Sequence, residues 1–469
     1  MRSILYYIMI WISIQGVVNA QEVSLNEEAS VLSYEEFIGM VKAHHPLMKQ
    51  ADLRLTEGEA TLLKARGGFD PKIEVDYQRK EFKDTPYWEI LNGTFKIPTW
   101  YGVEFKANFE ENTGTYLNPE RTVPEDGLYS AGVSIDLARG FLINERMANL
   151  RKAKFFMEQT QAERELLLNN LIYEATNAYL DWVEAYNETQ IYDQFLTNAQ
   201  QRFQGIKRSV EAGVLPAIDS VEARITYQNR QLSLEAARLK QQKAILSASN
   251  FLWLNEVPVE IKEGITPVAP DYNVLTASLV LESITNLDLV LEAHPKLRSL
   301  DAKIGGLEVD RSFKRNKLLP KLTVDYNFIS ETPDQLDSFN TADYKGGISF
   351  QFPLFLRKER GEAKLANVKL QDANLDRMST SLAIQNKIKA SQQEITSMTT
   401  QQGLINAIVV DYQQLVNAEE RKFELGESSL FLINSREQKL IEASLKENEI
   451  SVKVLKSVTS LYNAAGLSI

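Results

Sequence analysis

The sequence predicts an α+β chain made of one unit used twice, with long antiparallel coiled-coil helices joined to β-hairpins in each half. Three observations predict it. Short motifs recur at one fixed spacing. Apolar residues run at alternating intervals of three and four over many turns. Between the helical stretches, apolar and polar residues alternate strictly.

The repeat is visible without alignment. Ala43-His44-His45-Pro46-Leu47 echoes Glu292-Ala293-His294-Pro295-Lys296, and Pro71-Lys72-Ile73-Glu74-Val75-Asp76-Tyr77 echoes Pro320-Lys321-Leu322-Thr323-Val324-Asp325-Tyr326. Both pairs of prolines stand 249 residues apart (295 − 46 and 320 − 71). A later match, Ala131-Gly132-Val133-Ser134-Ile135 against Gly346-Gly347-Ile348-Ser349-Phe350, is offset by 215 (347 − 132). The first copy therefore holds 34 extra residues (249 − 215), around Tyr87 to Pro119. Within them Val103 to Phe109 alternates well, as an additional hairpin would.

The elements follow in order. Arg2 precedes a largely apolar run from Ile4 to Val18, and Val18-Asn19-Ala20 places compact residues before Gln21. Residues 1–20 read as a cleavable export signal. The alternative is a membrane anchor, for which the run falls short of the ~20 residues a spanning helix needs. No later stretch offers such a helix, so a membrane-embedded mature chain would have to be a β-barrel. The first unit spans residues 31–256: helices to about 67, strands over 71–138, a long helix over 140–212 and a final helix over 217–254. A Pro- and Gly-marked linker covers 257–280. The second unit spans 281–469, with strands over 320–354 and long helices over 358–466. A long helix of about 70 residues is roughly 105 Å, nearly matched by two shorter ones stacked end to end.

The long helix of the first copy carries Leu168, Leu171, Ala175, Ala178, Trp182, Ala185, Tyr192, Leu196, Ala199, Phe203, Ile206 and Val210, interrupted only by Thr189. Its partner shows Ile218, Ile225, Leu232, Leu239 and Leu246 at strict sevens, which predicts a coiled-coil seam. The second copy gives Ile388, Ile395, Met398, Ile405, Val409, Tyr412, Val416 and Phe423. In the strands, Ile73, Val75 and Tyr77 face one way and Glu74, Asp76 and Gln78 the other; Leu322, Val324, Tyr326 and Phe328 do the same. Such a face meets a second sheet in a soluble sandwich or lipid in an outer-membrane barrel. The strands alone favour the sandwich; an export signal moves the balance to the barrel.

Bulk chemistry excludes several classes. The 469 residues carry a net charge of −11 with no Lys/Arg block, against a nucleic-acid partner. Cysteine is absent and histidine occurs only at 44, 45 and 294. Disulfides, thiolate metal sites and cysteine nucleophiles are therefore excluded. There is no Gly-rich phosphate loop and no His-Glu-x-x-His. His44-His45 lacks further metal ligands and reads as a helix end. No catalytic, cofactor or metal site is expected, and the chain does not read as an enzyme.

The ordered set resembles the outer-membrane efflux protein family, the TolC-like channels. It comprises the duplicated helix–hairpin–long helix–helix order, the His-Pro starts, the Pro-Lys strand entries, the Phe352-Pro353-Leu354-Phe355 strand exit and the Gly-marked helical turns. The resemblance implies a homotrimer whose protomers each give four strands to a twelve-stranded outer-membrane barrel in lipid. It implies a periplasmic helical cylinder ending in a gated tip, and an exit duct for an efflux or type I secretion system. Such a duct opens on contact with a periplasmic adaptor driven by an inner-membrane pump. By the same resemblance the tip and gate fall at Gly213, Asp219, Gly426, Asn434 and Glu437. Asp219 stands six residues after Gly213, where the family often has an acid; capping of the next helix is the plainer reading. In the second copy that position is Leu432, and Asn434 and Glu437 take the places of pore-narrowing carboxylates. An exposed helix-face glutamate is the other reading of Glu437. The competing function is a periplasmic or surface helical spacer with a sheet head.

Overall fold

The structure is a computed structural model that describes residues 31–262, 264–279, 281, 286–333 and 341–467. The export signal expected at 1–20 lies outside these residues. In the first half β1 (Val31–Leu32), α1 (Tyr34–His44) and α2 (Pro46–Arg66) lead into four strands: β2 (Lys72–Phe82), β3 (Thr85–Pro98), β4 (Val103–Thr113) and β5 (Leu128–Asp136). A short α3 (Arg139–Leu142) precedes α4 (Glu145–Glu211) and α5 (Ala217–Ser249). The connection holds β6 (Trp253–Leu254), β7 (Val257–Pro258), β8 (Thr266–Pro267) and α6 (Tyr272–Ser278). The second half comprises α7 (Leu287–Ala293), α8 (Pro295–Asn316), β9 (Lys321–Ser330), β10 (Tyr344–Gln351), α9 (Arg357–Glu424) and α10 (Leu430–Ala465).

The His-Pro motif has a local cause. In both copies the histidine is the N-cap and proline opens the helix, where its missing N–H costs nothing. His45 Nδ1 accepts from the Leu47 N–H at 3.2 Å, and His294 Nδ1 accepts from the Lys296 N–H at 3.1 Å. An imidazole can do this only while that nitrogen is unprotonated.

α4 and α9, 67 and 68 residues long, are each about 100 Å of helix. α2 and α5 pack along α4, α8 and α10 along α9, and α8 and α10 also pack on α4. The inward stripe on α4, Leu168 to Val210, is buried or half-buried throughout, and so is that on α9. The strict-seven row on α5 is a correction. Ile218, Ile225, Leu232, Leu239 and Leu246 are 51–72% exposed. The face of α5 that α4 covers is instead Ala223, Arg230, Leu234, Ala237, Ile245 and Ala248. Small alanines bring the two axes close, and the isoleucine and leucine ridge is left on the outside of the protomer.

The main core is a belt at mid-height. Tyr34, Phe37 and Val41 of α1 meet Leu171, Tyr179, Leu180, Trp182 and Val183 of α4, with Val452, Val458 and Tyr462 of α10. The Tyr179 hydroxyl lies 2.8 Å from the carbonyls of both Leu32 and Val268 and accepts from the Val268 N–H at 3.1 Å. It thereby pins the parallel β1–β8 pair onto the long helix.

The strands form one six-stranded antiparallel sheet in the order β10-β9-β5-β4-β3-β2. The resemblance implies four; the additional hairpin expected from the extra residues of the first copy supplies the other two. The extra residues of the first copy form β3 and β4, inserted between β2 and β5 as a continuation of the meander.

Burial, the largest cause, pulls the His294 imidazole down to about 4 from 6.5, although it also hydrogen-bonds the Ala464 backbone. The unfolded chain takes up that proton near 6.5, so the stabilisation is whole above pH 6.5 and is lost as pH falls towards 4. His294→Asn, which retains a capping acceptor, is expected to lose that part of the acid sensitivity. His294→Ala is expected to cost about 1 kcal/mol at neutral pH. Helical circular dichroism in urea across that pH window measures both.

Candidate functional site

Two regions can do work beyond holding the fold: the turns at the far end of the long helices, and the sheet.

At the first turn Gly213 has φ +75°. The Gly213 N–H donates to the Val210 carbonyl at 3.0 Å and the Val214 N–H to Ser209 at 2.9 Å. At the second, Gly426 has φ +77°, with the Gly426 N–H on Phe423 at 3.0 Å and the Glu427 N–H on Lys422 at 2.8 Å. Left-handed backbone at this position satisfies the last helical carbonyls, and glycine adopts it without penalty. The outgoing helices start differently. Pro216 caps α5 without a side-chain bond and Asp219 sits in its first turn, where the helix dipole favours an acid. The Ser429 side chain caps α10 by accepting from the Leu432 N–H.

Just inside these turns all four long helices contribute to one charge cluster. Glu437 of α10 is only 1% exposed. Its Oε1 accepts from Arg202 of α4 at 3.0 Å and its Oε2 lies 3.6 Å from Arg230 of α5. Arg202 also donates to Glu420 of α9 at 2.9 Å, and Arg230 to Gln438 at 2.7 Å. Closer to the turns, the Asn434 amide donates to Glu222 of α5 at 3.1 Å. Leu430 packs with Ile206 and Ala223. The cluster places Glu437 neither on an exposed helix face nor on an open surface of the protomer. It neutralises the buried Arg230 and the half-buried Arg202 guanidiniums and fastens the two repeats to each other near the tip. Asn434 does the same in neutral form. Arg202 and Arg230 were not singled out from sequence. The available signal was Arg230 falling seven after Ala223 and seven before Ala237, in a row that otherwise wants apolar residues.

The sheet separates two chemistries by face. Cross-strand register aligns Ile73 with Phe95, Phe95 with Ala107, Phe105 with Val133, Val133 with Tyr326, and Val324 with Ile348. One face is thus apolar across all six strands. The opposite face carries Glu74, Lys96, Glu104, Lys106, Asp325 and Lys345. Glu74 pairs with Lys96, Lys106 with Asp325 at 3.3 Å, and Lys345 with Glu110 at 3.1 Å. Lys106 reaches Asp325 across Gly132, which lies between them in β5. A Cβ at that position would come within 2.1 Å of the Tyr326 carbonyl oxygen.

An apolar outer face, a charged inner face and strands of 8 to 14 residues are the attributes of a transmembrane barrel wall. Among the described residues no helix is long and apolar enough to cross a membrane. The outer membrane efflux protein family matches this chain over residues 103–247 and 286–467, and the chain belongs to that family. It is an efflux channel protein of the outer membrane with a periplasmic helical extension, and its family is one of channels, not enzymes. Solved structures share the fold at low identity. The Campylobacter jejuni CmeC outer membrane channel is 14% identical, with 92% of this chain and 85% of that chain covered and a TM-score of 0.65. VceC of Vibrio cholerae is 12% identical, covering 92% and 96%, with a TM-score of 0.67. The open-state Neisseria gonorrhoeae MtrE channel is 11% identical, covering 92% and 88%, with a TM-score of 0.66. No curated protein is similar enough in sequence to count as a match.

Removing the carboxylate of Glu437 leaves the buried Arg230 guanidinium without its charge partner, while the half-buried Arg202 keeps Glu420. Glu437→Ala is expected to destabilise the tip end by about 3–5 kcal/mol. Hydrogen exchange should show the loss around residues 200–235 and 415–440, with the belt unaffected.

Proposed function

We propose that three copies assemble into one exit duct for a tripartite efflux or type I secretion system, and that the tip opens when a periplasmic adaptor engages it. The inner-membrane pump supplies the energy, and this chain supplies the passage. One observation carries the reading. The six-stranded sheet has a lipid-type face but two unpaired edges, β2 and β10, and an open edge cannot stand in hydrocarbon. Copies must therefore meet there. The exposed ridge of α5 supports the same assembly, because an apolar row of five residues at heptad spacing suits the helices of a neighbouring copy. Leu404, Ile408 and Leu415 of α9, also exposed, lie over the same half of the rod.

In this reading Gly213, Asp219 and Gly426 lie at the adaptor-facing tip, and Asn434 and Glu437 act just behind it. Opening requires the two helical pairs of each protomer to separate there, which means breaking the Arg202–Glu437–Arg230 cluster and the Asn434–Glu222 bond. The competing spacer reading gives the apolar sheet face nothing to do.

The assembly is tested by outer-membrane fractionation and gel migration with and without heating. A heat-modifiable trimer in the outer-membrane fraction is expected, and a monodisperse monomer in detergent would count strongly against it. Leu232→Glu should shift the population from trimer towards monomer without loss of helix content. Glu437→Gln should raise single-channel conductance in planar bilayers by weakening the tip fastening; conductance equal to that of the parent protein would remove the cluster from the gate.

A further inference from the structure

We propose that the wall across the membrane is an eighteen-stranded barrel, six strands from each of three copies, closed by β2 of one copy pairing antiparallel with β10 of the next. This rests on the trimeric duct proposed above and goes beyond it, since resemblance implies twelve strands.

The inserted strands belong to the wall on four counts. First, their ladder is continuous. β2 pairs with β3 from Lys72↔Lys96 to Phe82↔Thr85, β3 with β4 from Glu89↔Thr113 to Pro98↔Glu104, and β4 with β5 from Val103↔Ile135 to Glu110↔Leu128. Folding the insert away from the lipid would strand the edges of β2 and β5. Second, they are long enough. β3 has 14 residues and β4 has 11, against the ~9–11 a tilted strand needs to cross a bilayer. Third, they are in phase. Phe95 and Ile97 of β3 and Phe105 and Phe109 of β4 share the face of Val75, Val133 and Val324, so the apolar band runs through the insert, ending where Leu91 meets Glu111. Fourth, the inner face ties the insert to the strands both copies share. Lys106 of β4 bonds Asp325 of β9, Glu110 of β4 bonds Lys345 of β10, and Glu104 of β4 meets Arg146 of α4 at 3.4 Å.

Parity then allows closure. Five antiparallel steps separate β2 from β10, so the two edge strands run in opposite directions. The edge of one copy therefore meets the next copy's opposite edge as an ordinary antiparallel pair. An insertion of two strands preserves this relation, and of one strand would destroy it. β2 and β10 are exposed along their entire lengths, as edges awaiting a partner would be.

The width of the barrel follows from the count. Strands about 4.8 Å apart and tilted by about 40° give a radius of about 18 Å for eighteen strands and about 12 Å for twelve. The lumen at the membrane is thus wider by about half.

The protein has no cysteine, so Ile348→Cys, on the exposed apolar face of β10, takes a single nitroxide per protomer. Dipolar distances in the purified trimer then read the wall directly. After allowing for the reach of the label, eighteen strands predict a backbone separation of about 31 Å between copies, and twelve about 21 Å. The larger value supports the proposal. The smaller value overturns the strand count and leaves the trimeric duct standing, whereas no intermolecular distance at all overturns the duct and the count together. Excising residues 85–122 in the same labelled protein should shorten the separation by about one third, and an unchanged distance would also overturn the proposal. If the excised protein does not fold, the intact labelled trimer alone decides.

Discussion

Within hydrocarbon, every backbone N–H and C=O must find its partner inside the protein. That constraint reaches most of this molecule. It forbids the sheet from ending in lipid, which is the ground for the assembly proposed above. It makes strand number a matter of parity, because closure needs edge strands that run in opposite directions. It also sets the register. With one face apolar from β2 to β10, a slip of one residue anywhere would turn a row of charges towards the lipid. Lys106, Asp325, Glu110 and Lys345 then add ion pairs to the inner face, where water moderates their cost.

The helical end is governed differently. Water is available there, and the helices are held by ordinary burial at the belt and by a charge cluster near the tip. Glu437 with two arginines is a poor way to gain stability, since removing charges from water costs about as much as their attraction returns. It is a good way to choose one arrangement. Four helices of similar apolar pattern could slide past each other by a turn, but only one register places Arg202 and Arg230 at Glu437 and Glu420 at Arg202. The same chemistry fits the opening proposed above: charges released into water are rehydrated, whereas an exposed apolar seam would invite other partners.

Much of this architecture was legible in the sequence, and the exceptions have physical reasons. The paired prolines at 46 and 295 and at 71 and 320 exposed the duplication because helix starts and strand entries demand particular residues locally. The alternation in 72–78 and 322–328 showed the faces of the sheet for the same reason. The α5 ridge was misread because heptad spacing reveals a straight apolar row, not what covers it; alanines too small to stand out formed the real seam with α4. Glu437 was misplaced because its surroundings come from residues more than 200 positions away, Arg202 and Arg230. The insert showed its alternation in 103–109 and joins β2 to β5 through sequential hairpins; what no local pattern records is the pairing of β5 with β9 of the other repeat.

The long helices have a mechanical consequence. α4 and α9 run from the sheet past the belt to the tip without a break, so each is a lever held at mid-length by packing around Tyr179 and Trp182. From Tyr179 to Glu211 is about 48 Å of helix. A tilt of about 5° at the belt, which side-chain repacking could absorb, displaces the tip by about 4 Å at that rise per residue. At Arg202, about 35 Å along α4 from Tyr179, the shift is about 3 Å, comparable with the 3.0 Å and 3.6 Å that hold Glu437 to its arginines. A small rotation at the belt is therefore felt near the far end as a displacement the size of the contacts in the cluster.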